Sequence, residues 1–161
     1  MVFLHNSIFM IVYRICGALY ADDLSGTGSK MYGGRWNNKG IPLLYTSSTR
    51  ALAALEVLVH IPSNIKLKDF SLISISIPDD NFQEINYKTI KNEIEQNGLN
   101  SNFKSIGDDW FKKNSSLILK VPSIIIKEEF NFLLNTLHKD FNKVKIIDKQ
   151  SFSFDSRLLP K

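Results

Sequence analysis

The stretch Ser71-Leu72-Ile73-Ser74-Ile75-Ser76-Ile77 alternates small polar with large apolar residues at a period of two. Only an extended chain puts residues i, i+2 and i+4 on one face, so the run predicts a strand with one apolar and one wet face. Similar strand signals recur along the chain. Ile8 to Cys16 is β-branched and aromatic, and Ile41 to Thr46 follows the Asn38-Lys39-Gly40 turn. Leu117 to Val121 and Ile124 to Ile126 flank Pro122-Ser123, and Val144 to Ile147 and Phe152 to Phe154 come last. Between these runs the period changes. Ser47, Ser48 and Thr49 offer N-caps for a helix over Arg50–His60, which Pro62 stops. Further helices are expected over Tyr87–Gln96, ending near Gly98, and over Asp108–Asn114 with Trp110 and Phe111 on the buried side, with a helical turn over Glu128–Leu134. Asp22 to Gly34 reads as a polar, glycine-punctuated loop, Pro78 to Asn81 as a turn, and the residues between Gly98 and Lys104 as an asparagine-rich surface loop. With no repeat and no linker in 161 residues, the expectation is a single domain spanning 1–161. Its class is α+β: a mixed, strand-rich core flanked by helices.

Composition excludes some functions. At 43% hydrophobic and 22% charged residues the chain can fold around a core. The net charge of +4 is spread along the sequence. It suits an anionic ligand, but no helix-turn-helix pattern or aromatic-interleaved basic stretch points to direct nucleic-acid binding. The single cysteine, Cys16, rules out an internal disulfide and lies in an apolar run, as an inert thiol would. The apolar Ile8–Ile15 segment is too short to span a bilayer and contains Arg14, so a cytoplasmic protein without membrane association is expected. No metal is expected, because His5, His60 and His138 have no ligand spacing.

A few residues are out of place for purely structural roles. Glu56 sits in Ala51-Leu52-Ala53-Ala54-Leu55-Glu56-Val57-Leu58-Val59, a helix apolar nearly all round and expected to be buried on most faces. A carboxylate there must be paired, hydrogen-bonded or open to a cleft, unless it lies on a solvated stripe with Arg50 and His60. His60, at i+4, is a candidate partner. Tyr32-Gly33-Gly34-Arg35-Trp36-Asn37 combines glycines, whose amides can meet phosphate oxygens, with an arginine whose planar fork binds phosphate or carboxylate. Arg14, inside an apolar strand, needs an anion or a salt bridge to Glu56 or Asp155. Tyr45 ends a strand just before the Glu56 helix, where its ring can stack on a heteroaromatic ligand and its hydroxyl can reach that ligand. Ser123 follows a proline that interrupts strand pairing and can turn toward a cavity. A Ser-His-Asp triad with His138 and Asp140 is disfavoured, because no serine lies in a nucleophile elbow. Arg35, Tyr45 and Glu56 are therefore expected to form a pocket for an anionic, ring-bearing substrate.

These residues, with others, resemble the RES domain, the toxin half of RES–Xre toxin–antitoxin pairs. The matching positions are Tyr13-Arg14, Gly28, Gly33-Gly34-Arg35-Trp36-Asn37, Gly40, Tyr45-Thr46-Ser47 and Ala51-Leu52-Ala53-x-Leu55-Glu56 with His60. They continue through Trp110, Val121-Pro122-Ser123, Asn131, Leu134-Asn135, His138, Asp140-Phe141, Phe154-Asp155 and Arg157-Leu158. The family serine corresponds to Ser47 or Ser123. One departure is Asn135-Thr136-Leu137-His138, where the family usually has Asn-Pro-x-His. The resemblance implies a fold similar to ADP-ribosyltransferases, NAD⁺ as substrate rather than cofactor, and cleavage of its nicotinamide–ribose bond by water or phosphate. Transfer of ADP-ribose to a protein is the alternative. It implies that Arg35, helped by Arg14, clamps the pyrophosphate, that Tyr45 stacks on the nicotinamide or its ribose, and that Glu56 stabilises the breaking bond. Tyr32, Gly34, Ser123 and Asn135 join Arg14 as substrate-binding residues. An Xre-type helix-turn-helix antitoxin is implied as the partner that occludes the site, and a homodimer stays open.

Overall fold

The computed structural model describes residues 8–61, 69–98 and 103–158. Its spine is a seven-stranded sheet ordered β4-β5-β6-β2-β1-β3-β7, with β1 Phe9–Gly17, β2 Leu43–Ser47, β3 Phe70–Pro78, β4 Phe82–Glu84, β5 Ile118–Pro122, β6 Phe130–Asn135 and β7 Lys145–Phe152. All pairings are antiparallel except β4 with β5. Among the described residues four α-helices accompany the sheet: α1 Thr27–Tyr32, α2 Arg50–Leu58, α3 Tyr87–Asn97 and α4 Lys104–Lys113. The α+β class is as expected.

The sheet is continuous in order but weak at one seam. β1 pairs with β3 over nine positions and β2 with β6 over five, whereas β1 meets β2 at one register pair, Tyr13 opposite Ser47. The two halves diverge from that seam. On one side of it they share a core: Val12, Ile73, Ile75 and Ile77 cluster with Leu44, Ile118, Phe132 and Leu134. Each such fully buried aliphatic side chain contributes about 1.5–3 kcal/mol, enough to hold the halves together without a ladder. A second cluster sets Trp36, Ile90, Phe103 and Trp110 against Leu43, Leu119, Val121 and Leu133, and a third joins α2 to β1 and β3 through Ala53, Ile15 and Leu72.

Several expectations change. The wet face of Ser71–Ile77 is mostly covered, with Leu72 and Ser74 both buried on it. The reason is that α2 and the C-terminal Phe154 pack on that side. Glu128–Leu134 is not helical; Phe130–Asn135 is a central strand whose neighbours on both sides override its local signal. Ile124–Ile126 is a turn, with the Ile125 and Ile126 amides donating to Ser123 Oγ at 3.1 and 3.2 Å. The predicted strand Val144–Ile147 runs on as β7 to Phe152, Ser153 and Phe154 of the last predicted strand lie past its end, and the Asp22–Gly34 loop contains α1. Helix α4 begins at Lys104, four residues before the expected start. Thr49 caps α2 as expected, accepting from Leu52 N at 3.0 Å, while the predicted stop at Pro62 lies outside the described residues. Most of the predicted asparagine-rich loop is also outside them, and Phe103 at its end is fully buried. Among the described residues no helix is long and apolar enough to cross a membrane.

Candidate active site

Where β1 and β2 part, a cleft of about 550 Å³ opens, floored by the two strands and walled by α2 and the loop after α1. This explains the unusual composition of α2. Only Leu52 and Ala53 are fully buried, and the apolar stripe at Ala53 and Val57 faces the cleft rather than solid core. Ile124, Ile125 and Phe70 add further apolar wall. A cavity of this size, apolar with a few convergent polar groups, is the usual form of a small-molecule site.

Glu56 projects into that cleft from α2. Its Oε1 accepts from Asn131 Nδ2 at 2.5 Å and from Ser123 Oγ at 3.4 Å. The Oε2 atom has no hydrogen bond from the described residues, and Glu56 lines the cleft. Asn131 is itself held: its Oδ1 accepts from Ser47 Oγ at 2.7 Å, and Ser47 is its register partner across β2 and β6. Both candidates for the family serine therefore serve the same carboxylate, Ser123 directly and Ser47 through Asn131. His60 does not pair with the carboxylate. It lies past the C-terminal end of α2, and its Nδ1 meets the Glu56 backbone oxygen at 2.8 Å, satisfying a carbonyl that the ending helix leaves free.

The Gly33–Asn38 loop forms the opposite lip. Asn37 is fully buried and staples the loop, donating from Nδ2 to the carbonyls of Ser29, Asn38 and Ile41, each at 3.0 Å. Its Oδ1 accepts from the Tyr45 hydroxyl at 2.6 Å, and that hydroxyl in turn accepts from Trp36 N at 3.2 Å. Gly34 is required here, because a Cβ would stand 2.5 Å from the Tyr45 oxygen. Trp36 stacks on Phe103 with centroids 5.0 Å apart. Two expectations need correction. The Gly33 and Gly34 amides do not wait for phosphate, since they donate to Ser29 O at 2.8 Å and Asn37 O at 3.0 Å. The Tyr45 hydroxyl is committed to the loop, so only its ring is offered to the cleft. Burial pushes the Tyr45 phenol well above its ordinary pKa, and the Trp36 amide only partly offsets this.

Arg35, exposed on that loop, and Arg14 of β1 both line the cleft. Arg14 Nη1 donates to the carbonyl oxygen of Asp23 at 3.1 Å. Among the described residues neither guanidinium pairs with a carboxylate, so the expected bridges from Arg14 to Glu56 or Asp155 do not form; Asp155 pairs with Arg157 instead. Two predicted ligand residues lie elsewhere. Tyr32, 75% exposed at the end of α1, is not part of the cleft lining. Asn135 is buried at the far end of β6, donating to Asn114 Oδ1 at 2.9 Å and accepting from Leu137 N at 3.0 Å. That second bond closes the turn in which Thr136 replaces the family proline. His138 Nδ1 caps the same segment by accepting from Asp140 N at 3.1 Å, outside the cleft.

Asn131 carried no role in the sequence reading, and the anchor of the lip was missed altogether. The carboxylate of Asp108 on α4 accepts from Asn38 N at 3.0 Å and Asn38 Nδ2 at 2.6 Å. Neighbouring Gly107 packs so closely that a Cβ would lie 1.8 Å from Trp36 O. A buried Asp beside a glycine on a helix's apolar side was the one available sign.

Comparison with known proteins identifies the family. The RES domain model matches residues 11–155. "Toxin Res" of Photorhabdus laumondii is 39% identical over 152 residues, covering 93% of this chain and 97% of that one. "Prs ADP-ribosylating toxin" of a Sphingobium species is 36% identical over 146 residues, covering 88% and 89%. A chain of the M. tuberculosis MbcT–MbcA toxin–antitoxin complex superposes with a TM-score of 0.70 at 16% identity, covering 91% of this chain and 86% of its own length. That likeness shows that the two chains share a fold. With the family model spanning nearly the whole chain and two relatives above one-third identity, this protein belongs to the RES domain family.

Proposed function

We propose that this protein is the toxin of a type II toxin–antitoxin pair and that it degrades NAD⁺ by breaking the nicotinamide–ribose bond. One observation carries the reading: the Glu56 carboxylate lines an apolar cleft together with two guanidiniums that have no carboxylate partner among the described residues. A dinucleotide matches those features. Its pyrophosphate takes Arg35 and Arg14 through charge-assisted hydrogen bonds, and its nicotinamide takes the apolar wall and the Tyr45 ring. As the glycosidic bond breaks, its electron pair leaves with the nicotinamide nitrogen and positive charge develops on the ribosyl carbon. The Glu56 carboxylate, already oriented, stabilises that charge without reorganising. Water then adds to the ribosyl carbon, losing a proton and giving ADP-ribose; phosphate in its place gives ADP-ribose 1″-phosphate. NAD⁺ is the substrate and no cofactor is needed. Depletion of NAD⁺ in the cytoplasm would arrest growth. The relatives named as toxins support this reading, and the toxin–antitoxin complex with the same fold supports an antitoxin partner, here an Xre-type helix-turn-helix protein covering the cleft.

The Sphingobium relative's name favours a second reading, in which a protein side chain replaces water as acceptor. Purified protein free of antitoxin, incubated with NAD⁺ with and without phosphate, separates the two. Free nicotinamide with stoichiometric ADP-ribose or its phosphate supports degradation. Labelled protein with little free ADP-ribose supports transfer, and absence of nicotinamide release under all conditions rejects both. Arg35→Ala should raise KM and lower kcat. Glu56→Gln should lower kcat by roughly 100-fold or more with KM nearly unchanged.

A further inference from the structure

We infer that Asn131, set by Ser47, is the positioning residue that aims the Glu56 carboxylate for the chemical step; the inference rests on the function proposed above. Glu56 is the one carboxylate on the otherwise mostly apolar α2, and no cation among the described residues lies within ion-pair distance of it. What fixes it is an amide. Asn131 Nδ2 donates to Oε1 at 2.5 Å, with Ser123 Oγ a longer second donor at 3.4 Å. An asparagine amide can face a carboxylate with either end. The oxygen end would set a partial negative charge against Oε1, so the nitrogen end must point at Glu56. Ser47, itself buried, matches that orientation by donating its hydroxyl to Asn131 Oδ1 at 2.7 Å. The relay runs from Ser47 on β2 through Asn131 on β6 to Glu56 on α2. It joins the floor of the cleft to its wall.

The consequence is a division of labour between the two carboxylate oxygens. Oε1 is held by Asn131 and Ser123. Oε2, which accepts no hydrogen bond from the described residues, is kept in one orientation, where it meets the ribose and the developing charge. Asn131 touches no substrate in this scheme and acts through Glu56. Tyr13 and Arg14 on β1, Arg35 on the opposite lip, Tyr45 on β2 and His60 beyond α2 are the other titratable groups around the cleft. None of them is within hydrogen-bond distance of the Glu56 carboxylate.

Steady-state nicotinamide release by the full chain, with kcat and KM for NAD⁺ taken from pH 5.5 to 9.5, tests the assignment. Asn131→Ala should lower kcat by roughly 100-fold, the scale of a small misplacement of a reacting group, with KM within about threefold of the parent. Ser47→Ala should have the same signature at smaller amplitude, and Ser47→Thr, which keeps the hydroxyl, should recover the loss. Asn131→Asp is nearly isosteric and keeps the Ser47 bond, but sets a second carboxylate against Oε1. The pair must then share a proton near neutrality, so activity in this variant should rise toward high pH while the parent profile does not. A merely structural asparagine would lose stability in Asn131→Asp without moving the profile. Parent-like kcat in Asn131→Ala, or an unmoved profile in a folded Asn131→Asp, overturns the inference while leaving the NAD⁺ reading intact. A parent protein that releases no nicotinamide overturns that reading and this inference with it.

Discussion

Gly107→Ala places one methyl group on α4, in a residue outside the cleft lining, and should nevertheless disable the site. The added carbon would start 1.8 Å from the Trp36 carbonyl oxygen and 3.2 Å from Trp36 Cβ. A comfortable contact needs roughly 3.5 Å, so α4 and the lip must separate by more than 1.5 Å or so. Neither side can yield cheaply. The obstructing atom is backbone, Trp36 is stacked on Phe103, and the next residue of α4, Asp108, holds Asn38 through two hydrogen bonds. Overpacking of a tight contact costs about 1–3 kcal/mol, and breaking hydrogen bonds to a buried carboxylate costs about 1.5–3 kcal/mol more. A loss of about 3–6 kcal/mol is a large part of the roughly 5–15 kcal/mol available to a domain. At about 2–4 °C per kcal/mol, Tm should fall by on the order of 10–20 °C. Circular dichroism melts of parent and variant give that shift. Nicotinamide release below the variant's Tm then reports the site, and KM should rise because Arg35 is carried on the displaced lip. A Tm within about 2 °C of the parent, or unchanged KM in a variant with the expected Tm loss, would refute the proposed coupling of α4 to the cleft.

Tyr45→Phe keeps the ring on the cleft and removes the hydroxyl that joins Asn37 to Trp36 N, so it should cost about 1–3 kcal/mol in urea denaturation. The same residue makes an alkaline prediction. Its phenol titrates higher in the folded protein than unfolded, so the folded state keeps the proton that the unfolded chain gives up. Stability is then full below about pH 10 and falls as pH rises beyond it, and Tyr45→Phe should flatten that fall in urea midpoints taken from pH 8 to 11. Burial likewise pushes the Cys16 thiol up, with Arg14 offsetting only part of this. Cys16 should react slowly with a chromogenic disulfide at neutral pH and quickly in denaturant, and fast reaction in the native protein would contradict the burial argument.

Where period and capping agreed, the chain could be read directly. The Ser71–Ile77 alternation is β3 and the Thr49 cap starts α2, because both signals depend on residues a few positions apart. β6 was misread for the opposite reason. Phe130-Asn131-Phe132-Leu133-Leu134 has a mixed local pattern, and it becomes a strand because β2 and β5 supply hydrogen bonds on both edges. The Tyr32–Asn37 block pointed to the right place with the wrong roles. Arg35 is its charged side chain on the cleft and Tyr32 is exposed outside the cleft lining, while Asn37, Trp36 and both glycine amides build the lip that carries Arg35.

The hardest part of the site to foresee is the one on which the proposed chemistry depends. Glu56 could be recognised as anomalous from its own helix, but its partner is 75 positions away and is selected by strand register. Asn131 faces the cleft because it sits opposite Ser47 on one side and Val121 on the other. A slip of one residue along β6 would turn every side chain over, burying Asn131 in the core and presenting Phe130 or Phe132 to the carboxylate. Such a slip is opposed by Leu133, which packs with Leu43 and Leu119 on the cleft face, and by Phe132 and Leu134, which pack with Leu44 and Ile118 on the other. The apolar alternation of β6 thus has a chemical consequence. By fixing the register, it places an amide donor under Glu56 and leaves the other carboxylate oxygen without a hydrogen bond from the described residues, so the orientation of the reacting group is a product of core packing two strands away.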